Sequence, residues 1–458
     1  MIFSSPLFLF LFLPVVLGGY LIAGRFRNLW LLAASLFFYS WGEPKYIVLM
    51  GISVVFNYFS GRLLEQTEQY RNLILIISCV FNLGLLGIFK YANFITETIN
   101  QVFVSSFPLT DIALPIGISF YTFQILSYVI DVYRKEVPAQ KNILSLALYI
   151  SLFPQLIAGP IVRYSDIEQQ IIRRQHSVEK FHNGILRFST GFIKKILVAD
   201  TVGTIADTMF SASNIGCWFA WLGIIAYTLQ IYYDFSGYSD MAIGLGKMIG
   251  FDFLENFNYP YISSSVQEFW KRWHISLSSW FKDYVYIPIG GSRNGTIKTY
   301  RNLLIVFFLT GLWHGAGWNF IVWGLYYAFF LIAERLFLKN LLLKLPAFIR
   351  HGYTMLVVMI AWVLFRAKTL AHALNYIKAL FSFSGISDVQ LIDISNISLF
   401  MLCVGLVFSF PLIPHITQKL QNKKWFSYVN SIIILLVFAL ALINLVGSGF
   451  SSFLYFRF

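Results

Sequence analysis

One uncharged stretch, residues 302–333, constrains the fold of this chain more than any other feature. Its 32 positions exceed the roughly 20 apolar residues that one membrane-crossing helix needs. The glycine-rich sequence around His314 offers a break, because the 12 residues from Asn302 to Trp313 make only about 18 Å of helix. Basic residues flank both ends of the stretch, and such flanks prefer the cytoplasm. We therefore predict that the segment enters a membrane, turns at His314 and returns.

The composition of the whole chain also indicates a membrane protein. Of its 458 residues, 58% are apolar and only 12% are charged, which exceeds what the interior of a soluble domain needs. The formal net charge is +13, but the basic residues lie scattered between apolar runs, so we expect inner loops and no nucleic-acid partner. The run Pro6–Gly24 lacks the features of a cleaved signal peptide and is expected to be a retained helix.

The spacing of the long apolar runs predicts the fold class. We expect an all-α, polytopic membrane protein with about 11–13 transmembrane or re-entrant helices, forming a single integral membrane domain over residues 1–458. Prolines in Asn142–Val162 predict a re-entrant or sharply kinked element there. Residues 176–208 have the pattern of an amphipathic helix at the inner membrane surface, with Lys194 and Lys195 among its polar positions. The segment from Tyr259 to Arg301 is expected on the cytoplasmic side.

The histidine at the break is the strongest functional candidate. An ionisable side chain at membrane depth is costly, and such residues usually serve a function. Glycines 311, 315 and 317 surround it, and their missing side chains let another helix or a thin substrate arm approach the backbone closely. Close helix packing alone is the alternative explanation for these glycines.

A second candidate is His274. Trp270, Trp273, His274 and Leu277 recur at the spacing of one helix face, so we predict an aromatic face that carries an imidazole. This histidine is interpreted either as a buried residue hydrogen-bonded within a tryptophan cluster or as a participant in catalysis.

A third cluster places two carboxylates, Asp234 and Asp240, at the end of an apolar run. Buried carboxylates usually pair with a base or orient a histidine. The alternative is a helix start that Ser236 or Asp240 caps. The sequence shows no metal-ligand spacing, P-loop or dinucleotide-binding pattern, so we predict no metal site. The remaining chemistries are histidine-centred proton transfer on an acyl or similar substrate, and ion movement.

The motif Trp313-His314-Gly315 with His274 upstream resembles the membrane-bound O-acyltransferase family. The surrounding sequence segments are similar to those of the bacterial polysaccharide O-acetylation branch of this family, whose members act on alginate or peptidoglycan. Four segments carry this resemblance: residues 153–164, 230–244, 269–278 and 286–291.

The resemblance implies an O-acyltransferase that moves an acetyl group from cytoplasmic acetyl-CoA to an extracytoplasmic hydroxyl, with no bound cofactor. His314 would act as general base, and His274 would position the thioester or protonate the leaving thiolate. The basic residues Lys271, Arg272, Lys282 and Arg293 are candidates for docking the nucleotide of the donor. Candidates for the substrate path are Tyr233, Asp234, Ser236, Lys271, Arg272, Trp313, Gly315 and Asn319.

The resemblance also implies a setting. We expect a multi-pass protein of the bacterial cytoplasmic (inner) membrane, surrounded by membrane lipids, that binds acyl-CoA. The outer loops are too small to hold a glycan, which favours a periplasmic SGNH-esterase-like acetyltransferase as partner. Two alternatives remain: D-alanyl transfer from a carrier protein, as in teichoic-acid modification, and a transporter or export component without enzymatic activity.

Overall fold

The computed structural model describes residues 1–382, 394–420, 423–448 and 453–454. These residues form helices and no strand, so the predicted all-α class is confirmed. The chain forms two compact units: the first contains residues 1–188 and 241–254, and the second contains residues 189–240 and 255–458. The single membrane domain over residues 1–458 stays a prediction.

The first unit is built from the N-terminal helices. They are α1 (Leu13–Ile22), α2 (Arg27–Ser40), α3 (Ile47–Gln66), α4 (Arg71–Leu86), α5 (Ala92–Phe103), α6 (Ile118–Tyr133), α7 (Ile143–Ser151), α8 (Phe153–Leu156), α9 (Tyr164–Ile172) and most of α10 (Val178–Ile193). Helix α6 is buried on nearly every face, and its buried residues include the polar side chains of Gln124, Ser127 and Asp131.

The second unit contains the remaining helices. They are α11 (Asp200–Ser211), most of α12 (Cys217–Met248), α13 (Val266–Arg272), α14 (Ile275–Phe281), α15 (Thr296–His314), α16 (Trp318–Ala333), α17 (Lys339–Leu342), α18 (Ala347–Arg366), α19 (Leu370–Phe381), α20 (Asn396–Phe408), α21 (Leu412–Leu420) and α22 (Lys424–Ser448).

Five helical segments of the described residues are long and apolar enough to cross a membrane. They are Ile47–Gln66, Arg71–Phe103, Trp318–Leu342, Ala347–Arg366 and Trp425–Gly447. Helices α20 and α21 make a sixth if the pair, bent by 58°, is one span. Several other apolar runs fold into helices shorter than a span, so the number 11–13 stays a prediction.

The proline-containing stretch 142–162 is broken, as predicted. Helix α7 ends at Ser151, and only the single turn α8 follows before residue 164. Pro154 lies in the first turn of α8, where a backbone N–H has no helical partner to lose. The side of the membrane on which the next loop lies stays a prediction.

The predicted surface position of the amphipathic stretch is wrong for Lys195. A π-helical segment, Lys194–Ala199, joins α10 to α11, and the Lys195 side chain is only 1% exposed. The helical pattern alone did not show that the Lys195 ammonium pairs with the carboxylates of Asp200 and Asp234 in the folded protein.

Helices α15 and α16 form a close antiparallel hairpin, and the break between them lies at Gly315–Gly317, as predicted. Two glycines set the spacing of the helices. A Cβ atom at Gly311 would collide with the carbonyl oxygen of Phe320, and one at Gly324 would collide with that of Phe307. Only glycine lets the two backbones approach this closely.

Candidate active site

His314 is the last residue of α15 and is buried, with only 6% of its surface exposed. Three aromatic rings surround the imidazole edge-on: Trp313 at 4.9 Å, Trp323 of α16 at 4.9 Å and Phe365 of α18 at 5.2 Å between ring centroids. The helix break therefore places the imidazole in an apolar setting, as the sequence predicts. In such a setting, charge that develops on the ring or on a bound group is weakly screened.

A small cavity of about 30 Å³ lies beside His314. Its other lining residues are Ile231, Asp234, Phe235, Trp273, Trp323, Trp362, Phe365 and Leu454. This volume is close to that of one water molecule. A thioester and an acceptor hydroxyl need more room, so the aromatic lining would have to separate for both to bind here.

His274 does not lie on a continuous helix face, and that prediction is wrong. Helix α13 ends at Arg272 and α14 begins at Ile275, with His274 between them in the left-handed region at φ +44°. No glycine or proline marks this break. The carbonyl oxygen of Asn256 instead accepts the N–H of Ile275, and its side-chain oxygen accepts the N–H of Ser276. A distant residue thus stabilises a turn that the local sequence does not favour.

The His274 imidazole is completely buried. Its ring lies 4.7 Å from Phe235, 6.0 Å from Trp313 and 6.5 Å from His314 between centroids. Burial lowers the pKa of His274 from 6.5 to about 3, so the ring is neutral at physiological pH. Both predicted histidines therefore lie in one aromatic cluster.

Asp234 lines the His314 cavity and belongs to a buried ionic cluster. Its Oδ1 lies 2.7 Å from the Lys195 ammonium, and its Oδ2 accepts the N–H of Leu454 at 2.9 Å. Lys195 also lies 2.7 Å from Asp200. The expected pairing of this carboxylate with a base is confirmed. The alternative of a helix start at Ser236 or Asp240 is wrong, because α12 continues through both residues.

Several predicted path residues make structural contacts and do not line the cavity within the described part of the chain. The Tyr233 hydroxyl donates to the carbonyl oxygen of Gly405, and the Asn319 amide donates to that of Ala367 at the end of α18. Ser236 is buried, and a Cβ atom at Gly315 would collide with the ring of Phe320. The substrate contacts predicted for these residues stay predictions.

The two basic candidates after Trp270 differ in their surroundings. Lys271 is exposed, whereas Arg272 donates to Glu268 at 2.9 Å and to the carbonyl oxygen of Asn258 at 3.1 Å. Neither lines the His314 cavity. Among the described residues, no three His, Cys, Asp or Glu side chains lie close enough together to hold a metal ion.

A separate cleft of about 180 Å³ lies beside α13, α14 and α15. Lys282 and Arg335 contribute basic groups to its wall, and Ser278 and Thr310 contribute hydroxyls. Trp270 also lines this cleft, and its ring lies 5.9 Å from that of Trp323, which lines the His314 cavity. Tryptophan side chains therefore lie between the cleft and the cavity.

Sequence reasoning missed Asn256, Lys195 and Leu454 as parts of this site. Asn256 lies in a stretch without a motif, and Leu454 is 220 positions from its partner Asp234. The sequence contains one indication that Lys195 is buried, because it is a basic residue among apolar ones. Its partner Asp234 could not be identified, because it lies 39 positions away.

Comparison with known proteins identifies relatives that match most of the chain. The probable alginate O-acetylase AlgI of Pseudomonas aeruginosa is 47% identical over 413 residues, which cover 88% of this chain and 79% of that protein. The peptidoglycan O-acetyltransferase of Helicobacter pylori is 38% identical over 426 residues, 84% of this chain and 81% of that protein. The teichoic acid D-alanyltransferase of Bacillus subtilis is 28% identical over 241 residues, 49% of this chain and 60% of that protein.

The sequence model of the membrane-bound O-acyltransferase family matches residues 66–374. This range includes both histidines and their aromatic cluster. With its membrane-length helices, the chain is a multi-pass membrane protein and an acyltransferase that acts on an acyl donor. The chain belongs to the membrane-bound O-acyltransferase family.

Proposed function

We propose that this protein transfers an acetyl group from cytoplasmic acetyl-CoA to an extracytoplasmic hydroxyl, for O-acetylation of a cell-wall or exported polysaccharide of the peptidoglycan or alginate type. The observation that carries the proposal is His314, held by three aromatic rings at the break of a helical hairpin. The relatives named for alginate and peptidoglycan acetylation match most of the chain around it. The location is the bacterial cytoplasmic (inner) membrane, where lipids surround the spanning helices.

His314 acts as the general base in this proposal. Its imidazole takes the proton of the acceptor hydroxyl, and the oxygen attacks the carbonyl carbon of the thioester. The carbon–sulfur bond then breaks, and the imidazolium returns the proton to the coenzyme A thiolate. An imidazole suits this task, because its ordinary pKa is near neutral pH. The apolar rings keep water from competing with the acceptor.

The 180 Å³ cleft is the proposed path of the donor. Lys282 and Arg335 line it and attract the anionic nucleotide end of acetyl-CoA. Thr310 lines the cleft one helical turn before His314 on α15, which supports a path from the cleft to the imidazole past the tryptophan side chains. Lys271, Arg272 and Arg293 extend the basic surface along which the donor approaches.

His274 positions substrate and does not supply a proton. Its burial keeps the ring neutral, so it has no acidic proton to offer the leaving thiolate near pH 7. Its ring centroid lies 6.0 Å from that of Trp313 and 6.5 Å from that of His314, which supports this positioning role.

The proposed acceptor is a serine hydroxyl on a periplasmic SGNH-esterase-like acetyltransferase, which passes the acetyl group to the glycan. A side-chain hydroxyl is slender, and the cavity at His314 is narrow. A sugar ring would require the aromatic lining to separate much further.

The test uses the purified full-length protein in nanodiscs with labelled acetyl-CoA and a small water-soluble alcohol as acceptor. Release of free coenzyme A is expected from the parent and from the control variant His415→Ala, whose histidine is exposed. His314→Ala is expected to release none above background. If the parent consumed a D-alanyl carrier protein and left acetyl-CoA intact, the D-alanyl alternative would replace this proposal. If neither thioester were consumed, the result would contradict this proposal and would favour a transporter or export component without enzymatic activity.

A further inference from the structure

Asn256 is completely buried and holds the region around His274 through one side-chain oxygen. Its Oδ1 lies 3.1 Å from Nδ1 of His274, 3.2 Å from the backbone nitrogen of Ser276 and 2.9 Å from the Ser276 hydroxyl. Its Nδ2 donates to the Ser239 hydroxyl at 3.1 Å. All of these groups belong to the second unit.

These contacts fix which end of the amide faces the imidazole. The backbone N–H of Ser276 is only a donor, so the Asn256 atom in front of it must be the carbonyl oxygen. The same oxygen faces Nδ1 of His274, and an oxygen acceptor requires a proton on that nitrogen. In a neutral imidazole the other nitrogen, Nε2, then carries a lone pair and is an acceptor.

The second nitrogen of His274 is therefore ready to accept a hydrogen bond. Nε2 is buried and has no hydrogen-bond partner within the described residues. Buried polar atoms of this kind usually have a partner, and those without one often act in catalysis or binding. The Phe235 and His314 rings, both of which line the His314 cavity, are near neighbours of this imidazole.

We propose that Asn256 is a positioning residue that holds His274 as the Nδ1–H tautomer, so that Nε2 accepts a hydrogen bond from a substrate N–H or O–H at His314. The inference rests on the proposed acetyl transfer, and it specifies which ring nitrogen of His274 accepts a hydrogen bond from the substrate. Two substrate groups have the required chemistry: an amide N–H of the pantetheine arm and the hydroxyl of the acceptor.

The tautomer can be measured directly on the full-length protein in nanodiscs. Nitrogen-15 labelling of the seven histidines, with His274→Gln to assign the signal, reports which ring nitrogen carries the proton. The parent is expected to show Nδ1–H. Asn256→Asp keeps the acceptor oxygen and is expected to keep this tautomer, whereas Asn256→Leu is expected to lose it. Nε2–H in the parent, or an unchanged tautomer in Asn256→Leu, would overturn the inference.

A matched control separates this role from simple packing. Ser239→Ala removes the hydrogen bond of the Asn256 amide group without touching the oxygen that faces the imidazole. It is expected to keep the Nδ1–H tautomer and most activity. If Ser239→Ala changed the tautomer as much as Asn256→Leu, general disorder of the turn would replace the proposed role.

Kinetics then identify the substrate group. If Nε2 binds the pantetheine amide, Asn256→Leu raises KM for acetyl-CoA about tenfold or more, and Asn256→Asp restores it. If Nε2 binds the acceptor hydroxyl, transfer to the acceptor falls while KM for acetyl-CoA stays unchanged. Unchanged kinetics in Asn256→Leu would contradict the substrate contact. The tautomer is measured without substrate, so a parent protein with the expected tautomer and no acetyl transfer would contradict the proposed function alone.

Discussion

The imidazoles of His274 and His314 lie 6.5 Å apart between ring centroids, at an interplanar angle of 64°. His274 follows the short helix α13, and His314 ends the long helix α15. The two rings differ in their surroundings: Oδ1 of Asn256 lies 3.1 Å from Nδ1 of His274, whereas His314 lines a cavity. This difference assigns positioning to the first histidine and proton transfer to the second in the proposed mechanism.

Replacement of His314 tests the general base. His314→Ala is expected to preserve folding and donor binding and to lower acyl transfer about 10²–10⁴-fold, the usual contribution of such a group. His314→Gln keeps hydrogen bonding but cannot take the proton, so it is expected to be nearly as inactive. The measurement is transfer of labelled acetyl by purified variants of equal thermal stability. Substantial activity in the glutamine variant would exclude proton transfer by His314 and would indicate that the residue has only a structural role.

His274→Ala is expected to reduce transfer less than His314→Ala, because the imidazole positions a substrate group and does not move a proton. The loss is expected to be about tenfold to a hundredfold, the range for one hydrogen bond to a reacting group. The variant protein is expected to remain folded in detergent. Turnover equal to that of the parent would support the interpretation of a buried structural histidine.

The pH dependence of stability gives an independent test of the buried His274. Its pKa falls from 6.5 to about 3 on folding, so between these values the unfolded state binds a proton that the folded state excludes. Its stabilising effect is therefore fully present above pH 6.5 and is lost as the pH falls toward 3. Thermal unfolding in detergent between pH 8 and pH 4 is expected to show a smaller decline in Tm for His274→Gln than for the parent. Parallel curves for the two proteins would argue against a buried neutral ring.

The sequence predicts the part of this site that depends on chain length and composition. The helix break near His314 is predicted because the apolar run is too long for one membrane span. In the structure, α15 ends at His314 and Gly315 follows it outside the helix. The break at His274 could not be predicted, because the helical spacing continues through residues without glycine or proline. Among the described residues, tertiary hydrogen bonds to Asn256, 18 positions before His274, stabilise the turn, and the N–H of Asn258 donates to the carbonyl oxygen of Arg272. Lys195 and Leu454 could not be predicted as parts of the site for the same reason, because their shared partner Asp234 is distant from both in the sequence.

The buried ion pair of Lys195 and Asp234 is expected to be necessary for stability. Lys195→Met leaves Asp234 and Asp200 without their shared cation, and breaking a buried pair in this way costs about 3–5 kcal/mol. The expected result is a clear fall in Tm and in the yield of folded protein. The control is Lys135→Met, whose pair with Glu68 is 64% and 74% exposed, and little change is expected there. Equal Tm values for the parent and Lys195→Met would show that the pair is dispensable.

The close approach of α15 and α16 predicts a contrast between two glycines. Gly311→Ala adds a methyl group against the carbonyl oxygen of Phe320 and is expected to separate the hairpin and displace His314. Gly352→Ala, in α18, adds the same group where no atom outside the neighbouring backbone of its own helix lies within 4 Å. Alanine favours a helix over glycine by up to about 1 kcal/mol, so this control is expected to be neutral or slightly stabilising. Activity and Tm of both purified variants measure the contrast. If Gly311→Ala matched the parent in both, the hairpin would tolerate a wider spacing, and its glycines would not be needed to place His314 beside Trp323.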